Sequence, residues 1–462
     1  MAAVLLLAAV LRLALLACAC NHPAAVATPD TRDYVTLSDS LLGGQFARDG
    51  SPEIFRTPGY PLILLLGTAV DAANWWHLIL IVQIAADLLL VYLTYLLGCL
   101  LLGAAAGRWA AFFQATSAVA VVSSLRILTD GLFAMLLALG LLLLVHHWRQ
   151  RRTWSLAASA AVLAAACYVR PVGQAFVAAV AAALAVRALW PQPANRAQGR
   201  GAPTRRRLLA SVVLYVALAA AVLSPWIIRN AHRADYRGFS SFAADSVYYF
   251  AVPEVIVRRS AEFGLPRDVG PEQARRYVRE LDRQDAAVHP GRTPGQGVRF
   301  RQAYSLKVIA RHPWLYLRLH ISGMKGFFLP GATDVLEVAG LTRGNRGTSD
   351  VLRSQGAWAA LKHYFGSNEM LWRDLAAAAG LSFAILVMTA AQYLGVALFL
   401  VRSLRRKLPG EMWVLLALAA MAPLLCGPFA FPRYQTMVVP LLSLFAAAGY
   451  CWRRPEVLSA PE

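Results

Sequence analysis

Apolar residues along this chain come in long, nearly unbroken blocks, and the polar residues collect between them. About ten of these blocks reach or approach the roughly 20 residues that an α-helix needs to cross a bilayer. They run over 3–20, 76–97, 104–122, 128–145, 154–168, 172–189, 208–227, 375–401, 412–425 and 436–451. The pattern predicts an all-α fold, a polytopic helical membrane protein with extracytoplasmic interfacial helices. Two further apolar stretches do not suit a span. Residues 61–70 are too few, and read as an interfacial helix ending at the Trp75-Trp76 belt. Residues 312–329 are interrupted by Arg318, His320 and Lys325, which fits an amphipathic helix lying at the membrane surface.

Composition supports the same class. Of 462 residues, 58% are hydrophobic and only 15% charged, with a mean hydropathy of +0.50. Soluble domains carry about 25% charged residues. The formal charge of +20 is almost all arginine. Basic groups recur at Arg149, Arg151 and Arg152, at Arg196, Arg200 and Arg205 to Arg207, at Arg402, Arg405, Arg406 and Lys407, and at Arg453 and Arg454. With ten spans these all share one face, which the positive-inside bias makes cytoplasmic. Both termini then lie inside, and the expected location is the plasma (inner) membrane.

Three regions follow: 1–230, whose first external loop is 21–75; an extracytoplasmic region, 231–374; and C-terminal spans in 375–462. Residues 2–20 lack a basic leader and carry Arg12 inside the apolar run, which favours a retained span over a cleaved signal peptide. The six cysteines lie within or at the ends of apolar segments, without disulfide or metal-ligand spacing.

On the opposite face, isolated charges gather at the ends of the spans. They are Asp30, Asp33 and Arg56 in the first loop, Arg126 and Asp130 flanking the start of the fourth span, and Arg170 at the end of the fifth. Arg229 and Asn230 end the seventh, and Arg433 and Tyr434 open the tenth. Each arginine alone has an ordinary explanation, snorkelling to lipid headgroups. The set, interleaved with carboxylates, runs against the orientation bias, and an anionic ligand held by guanidinium forks accounts for it. Asp87, in the middle of a span, reads instead as a structural partner across helices.

That inventory suits transfer of a sugar from a lipid phosphate. A carboxylate takes the proton of an acceptor hydroxyl, and arginines neutralise the departing phosphate. A transporter or flippase of lipid-linked saccharides would use similar arginines. It would also show paired broken helices in two halves, and no such pairing is found. A subunit that kept the fold without the activity is a third reading. Nothing points to nucleic acid.

These residues resemble the GT-C superfamily of integral-membrane glycosyltransferases, in the bacterial branch related to protein O-mannosyltransferases and the lipid A aminoarabinose transferase. The resemblance rests on Asp30 four residues before Tyr34, then Phe55-Arg56-Thr57-Pro58-Gly59-Tyr60-Pro61, and Asp130 in Leu-Thr-Asp-Gly. Residues 168–171, 225–230 and 433–434 extend it over most of the chain except 231–374. It implies an inverting transferase that uses a polyprenyl-phosphate-linked sugar donor and a lipid, glycan or protein acceptor. Asp30 is then the principal catalytic carboxylate, with Asp33 the alternative and Asp130 orienting the acceptor or supporting Asp30. Donor phosphate falls to Arg56, Arg170, Arg229 and Arg433, and substrate contacts to Tyr34, Tyr60, Asn230 and Tyr434. No cofactor is expected. A divalent metal, used by oligosaccharyltransferases of the superfamily, is not favoured because arginine already supplies the positive charge.

Overall fold

The computed structural model describes residues 1–71, 73–190, 204–342, 348–365, 372–405 and 408–451. Arg196, Arg200, Arg406, Lys407, Arg453 and Arg454 lie outside them. A helix occupies each predicted block. In chain order these are α1 (Ala2–Asn21), the loop helix α2 (Pro29–Leu42), α3 (Gly59–Val70), α4 (Trp75–Leu102), α5 (Ala104–Thr116) and α6 (Ala118–Ser123). Next come α7 (Asp130–Gln150), α8 (Thr153–Val169), α9 (Gly173–Leu189) and α10 (Arg205–Ala234). Six helices among the described residues are long and apolar enough to cross a membrane on their own. The chain is a multi-pass membrane protein.

One expectation changes. The third block is not a continuous helix: Ser117 adopts an extended conformation (φ −64°, ψ 114°) and separates α5 from α6. Polar Gln114, Thr116 and Ser117 cluster at the break, and the Thr116 hydroxyl donates back to the Phe112 carbonyl. Such local bonds compete with the helix ladder. Beyond the break, α6 runs to Ser123 and leads into the loop that carries Arg126.

Close helix contacts rest on small residues, as expected where lipid removes the hydrophobic incentive to associate. A Cβ at Gly98 of α4 would lie 2.7 Å from the Gly107 backbone of α5. The apolar runs of α4 and α7 bury one flank each in a shared core with α8, whereas α10 buries only Tyr215, Ala219, Asn230 and Ala234. A sealed ion pair crosses this core. Arg12 of α1 pairs with Asp87 of α4, and its second nitrogen donates to the carbonyls of Ala8 (3.0 Å) and Ala115 (2.8 Å).

The region 231–374 carries a small core of its own around Tyr248, Val252, Val255, Ile256, Ala274, Val278 and Val308. Its longer helices are α11 (Pro271–Val288), α12 (Pro294–Arg311) and α13 (Pro313–Gly323). Two of its arginines pair internally, Arg301 on Asp245 (2.6 Å) and Arg292 on Asp282 (2.8 Å). At 11 residues α13 is too short to cross, and it buries no residue. The remaining apolar helices are α14 (Trp372–Leu404), α15 (Gly410–Cys426) and the shorter α16 (Val439–Cys451).

The arginine-rich ends meet as the pattern requires. Arg149 lies 4.0 Å from Glu411, Arg187 stacks over Trp148, and Arg402 bonds the Gly449 carbonyl. The opposite ends of α7 and α16 follow the segments that carry Arg126 and Arg433.

Candidate functional site

Helix α2 builds the core of the site. Pro29 opens it, and the backbone N–H of Thr28 donates to the Thr31 hydroxyl (2.8 Å), which anchors the first turn. The Thr31 hydroxyl donates in turn to the Ile127 carbonyl (3.0 Å), tying the helix start to the loop before α7. Asp30, Asp33 and Tyr34 sit at i, i+3 and i+4 and therefore share one face. That face receives Arg56 from the segment leading into α3.

A short hairpin, β1 (Ala47–Arg48) paired antiparallel with β2 (Ser51–Pro52), follows α2. Its turn is Asp49-Gly50, both at positive φ (50° and 74°), the pairing that two-residue hairpin turns favour. Just beyond it, the Glu53 carboxylate accepts the backbone N–H groups of Phe55 (2.6 Å) and Arg56 (3.0 Å). Glu53 therefore fixes the backbone from which Arg56 reaches out.

The charged side chains form an alternating ladder. Glu53 meets Arg48 (3.2 Å), Arg48 meets Asp33 (3.3 Å), Asp33 meets Arg56 (3.1 Å), and Arg56 meets Asp30 (2.8 Å). The second Asp30 oxygen accepts from Arg433 at 2.8 Å. The Tyr434 ring continues the row, with Arg433 and Arg170 at 5.3 and 5.1 Å from its centroid. Arg170 ends it on Asp130. Arg56 also donates to the Tyr34 hydroxyl (3.1 Å) and lies 4.8 Å from that ring.

Exposure divides the ladder. The Asp30 and Asp33 side chains are 27% and 33% exposed, while that of Asp130 is 3% exposed. An incoming group can reach the first two and not the third. Burial by itself would raise the Asp30 carboxyl, but the guanidinium groups of Arg433 and Arg56 outweigh it and hold it at about 2. Asp30 is thus ionised and weakly basic for as long as both arginines bind it.

Of the residues singled out from sequence, the structure brings Asp30, Asp33, Tyr34, Arg56, Asp130, Arg170, Arg433 and Tyr434 into this row. Three others stand behind it. Arg229 donates to the carbonyls of Glu53 (2.6 Å) and Phe46 (2.5 Å) and stacks on Trp226 (4.7 Å), holding the hairpin from outside the row. Asn230 is fully buried and donates to the carbonyls of Gly238 and Phe239, both at 3.0 Å. Tyr60 is also fully buried, donating to Gln83 (2.7 Å) and packing its ring 5.0 Å from that of Tyr34. Arg126 turns away to Glu337 (2.6 Å) and Asp334 (3.3 Å). Sequence reasoning missed Arg48 and Glu53, although Asp49-Gly50 was a legible hairpin signal.

Every reachable carboxylate in the row already bears a guanidinium, and no group of three or more His, Cys, Asp or Glu among the described residues is placed to hold an ion.

No family model and no curated protein matches the chain. Among solved structures it is similar to the archaeal oligosaccharyltransferase AglB from Archaeoglobus fulgidus, solved in complex with an inhibitory peptide and a dolichol-phosphate. The identity is 14% and the TM-score 0.50, over 97% of this chain and 49% of that one. It is also similar to ArnT from Cupriavidus metallidurans bound to undecaprenyl phosphate, with 14% identity and a TM-score of 0.39, over 91% and 73% of the two chains. The chain therefore spans about half the length of the archaeal protein. From α1 to α16, with the loop helix α2 set against the ends of the spans, this chain shares the fold of that part of the archaeal oligosaccharyltransferase.

Proposed function

We propose that the protein transfers a sugar from a polyprenyl-phosphate donor to an acceptor hydroxyl at the extracytoplasmic face of the plasma membrane, with inversion at the sugar carbon. The observation that carries this reading is Asp30, reachable from outside and clamped between Arg56 and Arg433. A phosphate arriving at the ladder competes with Asp30 for the two guanidinium forks, which bind it by charge-assisted bonds. As they turn to the phosphate, Asp30 loses what depresses its basicity and becomes a better base.

The acceptor oxygen then bonds to the anomeric carbon while the bond from that carbon to the phosphate oxygen breaks. The acceptor proton passes to the Asp30 carboxylate, and the leaving prenyl phosphate keeps its charge on Arg56 and Arg433. Asp33, held by Arg48 and Arg56, keeps the second guanidinium oriented, and Asp130 fixes Arg170 at the inner end of the row. In this reading arginine supplies all the positive charge and no divalent ion takes part. The acceptor, whether lipid, glycan or protein, meets Asp30 from the side of the hairpin and the extracytoplasmic region.

The test uses the protein in lipid nanodiscs with radiolabelled polyprenyl-phosphate sugars, comparing wild type with Asp30→Asn. Transfer or release of sugar by wild type, reduced about 10²- to 10⁴-fold in the variant with donor binding kept, is the expected result. Transfer that survives Asp30→Asn, or donor binding without turnover in wild type, overturns the reading.

A further inference from the structure

Away from the ladder, α13 and the turn after it carry two cations with no acidic partner among the described residues, Arg318 and Lys325. Both line a groove of about 520 Å³ with Trp314, Leu317, Ile321 and Ser322. The spacing i, i+3, i+4, i+7 and i+8 from Trp314 puts these side chains on one helical face. Trp314 is 80% exposed and Ile321 56%, a contiguous apolar surface of the kind that marks a contact site.

The other face of α13 fixes its depth. His320 shares a hydrogen bond with the Leu424 carbonyl (2.9 Å) near the end of α15, and Gly323 leaves no room for a Cβ against Pro428. The groove therefore lies at the outer ends of the spans, where aromatic side chains meet headgroups. At 100° per residue, His320 and Gly323 lie on roughly the opposite side of the helix from Trp314 and Arg318. The groove thus faces away from the segment that continues to Arg433.

We propose that this groove binds the headgroup of an anionic glycerophospholipid, with Arg318 and Lys325 taking the phosphodiester and Trp314, Leu317 and Ile321 taking the first carbons of the acyl chains. Unpaired cations at a lipid boundary need an anion, and two of them over an apolar floor match a phosphate above hydrocarbon. The donor lipid is excluded as occupant by direction, because its phosphate must reach Arg56 and Arg433.

Native mass spectrometry of the full chain, in detergent with equal phosphatidylglycerol and phosphatidylcholine, tests the site. A basic residue near an anionic surface contributes about 1 kcal/mol, so wild type retains phosphatidylglycerol on the order of tenfold or more over phosphatidylcholine. R318Q/K325Q brings that ratio close to one, and each single variant gives an intermediate value. R276Q/R283Q, on the exposed side of α11, leaves it unchanged. A ratio that persists in R318Q/K325Q, or falls equally in R276Q/R283Q, overturns the proposal. So does displacement of phosphatidylglycerol by an equal concentration of polyprenyl phosphate. If the double variant fails to fold, R318Q and K325Q alone decide the matter, and an unchanged ratio in both counts against it.

Discussion

Arginine–carboxylate pairs occur in two settings in this protein, with nearly identical chemistry and opposite construction. Arg12 and Asp87 are both fully buried between α1, α4 and α5, and the arginine's remaining donors go to backbone carbonyls. Nothing can reach them. Asp30 is held as tightly, by Arg56 and Arg433, yet keeps an open edge and two guanidinium groups that a stronger anion can take. The sealed pair fixes how three helices cross, whereas the open one is an interaction waiting to be exchanged. Burial, more than the identity of the partners, separates a sealed ion pair from an exchangeable one.

The largest effect expected from breaking this contrast is on turnover. Asp30→Asn lowers transfer about 10²- to 10⁴-fold with little change in thermal unfolding, read by parallel activity and melting curves in nanodiscs. Arg12→Leu does the reverse. It strands a buried carboxylate at a cost of about 3–5 kcal/mol, seen as a lower melting temperature in detergent, and Arg12→Leu with Asp87→Leu recovers much of the loss.

Arg433→Gln sharpens the comparison by leaving Asp30 with one partner. Weaker donor binding is expected, together with an acid limb of the pH–rate profile displaced upward. The sign follows from the free protein, where Asp30 is held at about 2 against an ordinary 3.8. Its ion pairs are complete above the ordinary value and are lost as pH falls through about 2, so removing Arg433 moves that loss to higher pH. Arg48→Gln, at a half-exposed pair, changes stability by no more than about 1 kcal/mol, measured by the same melting assay. Chelation with EDTA leaves the transfer rate unchanged, and a loss restored by Mg²⁺ or Mn²⁺ would refute the arginine-only reading.

Helices were legible because a span needs a long apolar run, and each predicted run became helix. The one misreading, a continuous 104–122, came from counting apolarity and passing over the polar Gln114-Ala115-Thr116-Ser117 step. Convergence of charges at one depth was also legible, since it depends only on where each span ends. Pairing was not. Arg126 chooses Glu337 across 211 residues, and Arg229 chooses backbone carbonyls of the first loop. Such choices are made by tertiary packing, and no local pattern around Arg126 or Arg229 distinguishes them from Arg170 or Arg433. Arg48 and Glu53 were hidden for a different reason: they enter the row only because a two-residue turn folds the chain back.

Asp30 and Arg433 are 403 residues apart in the chain. At ~5–20 residues per second of synthesis, Arg433 emerges on the order of tens of seconds after Asp30. During that interval Asp30 has Arg56, 26 residues behind it, as a companion, so the young carboxylate is not left bare. The second clamp arrives only with the segment that introduces the last helix. A nascent chain with its earlier helices inserted would thus hold Asp30 by one guanidinium, and the second contact forms only when the segment before α16 docks.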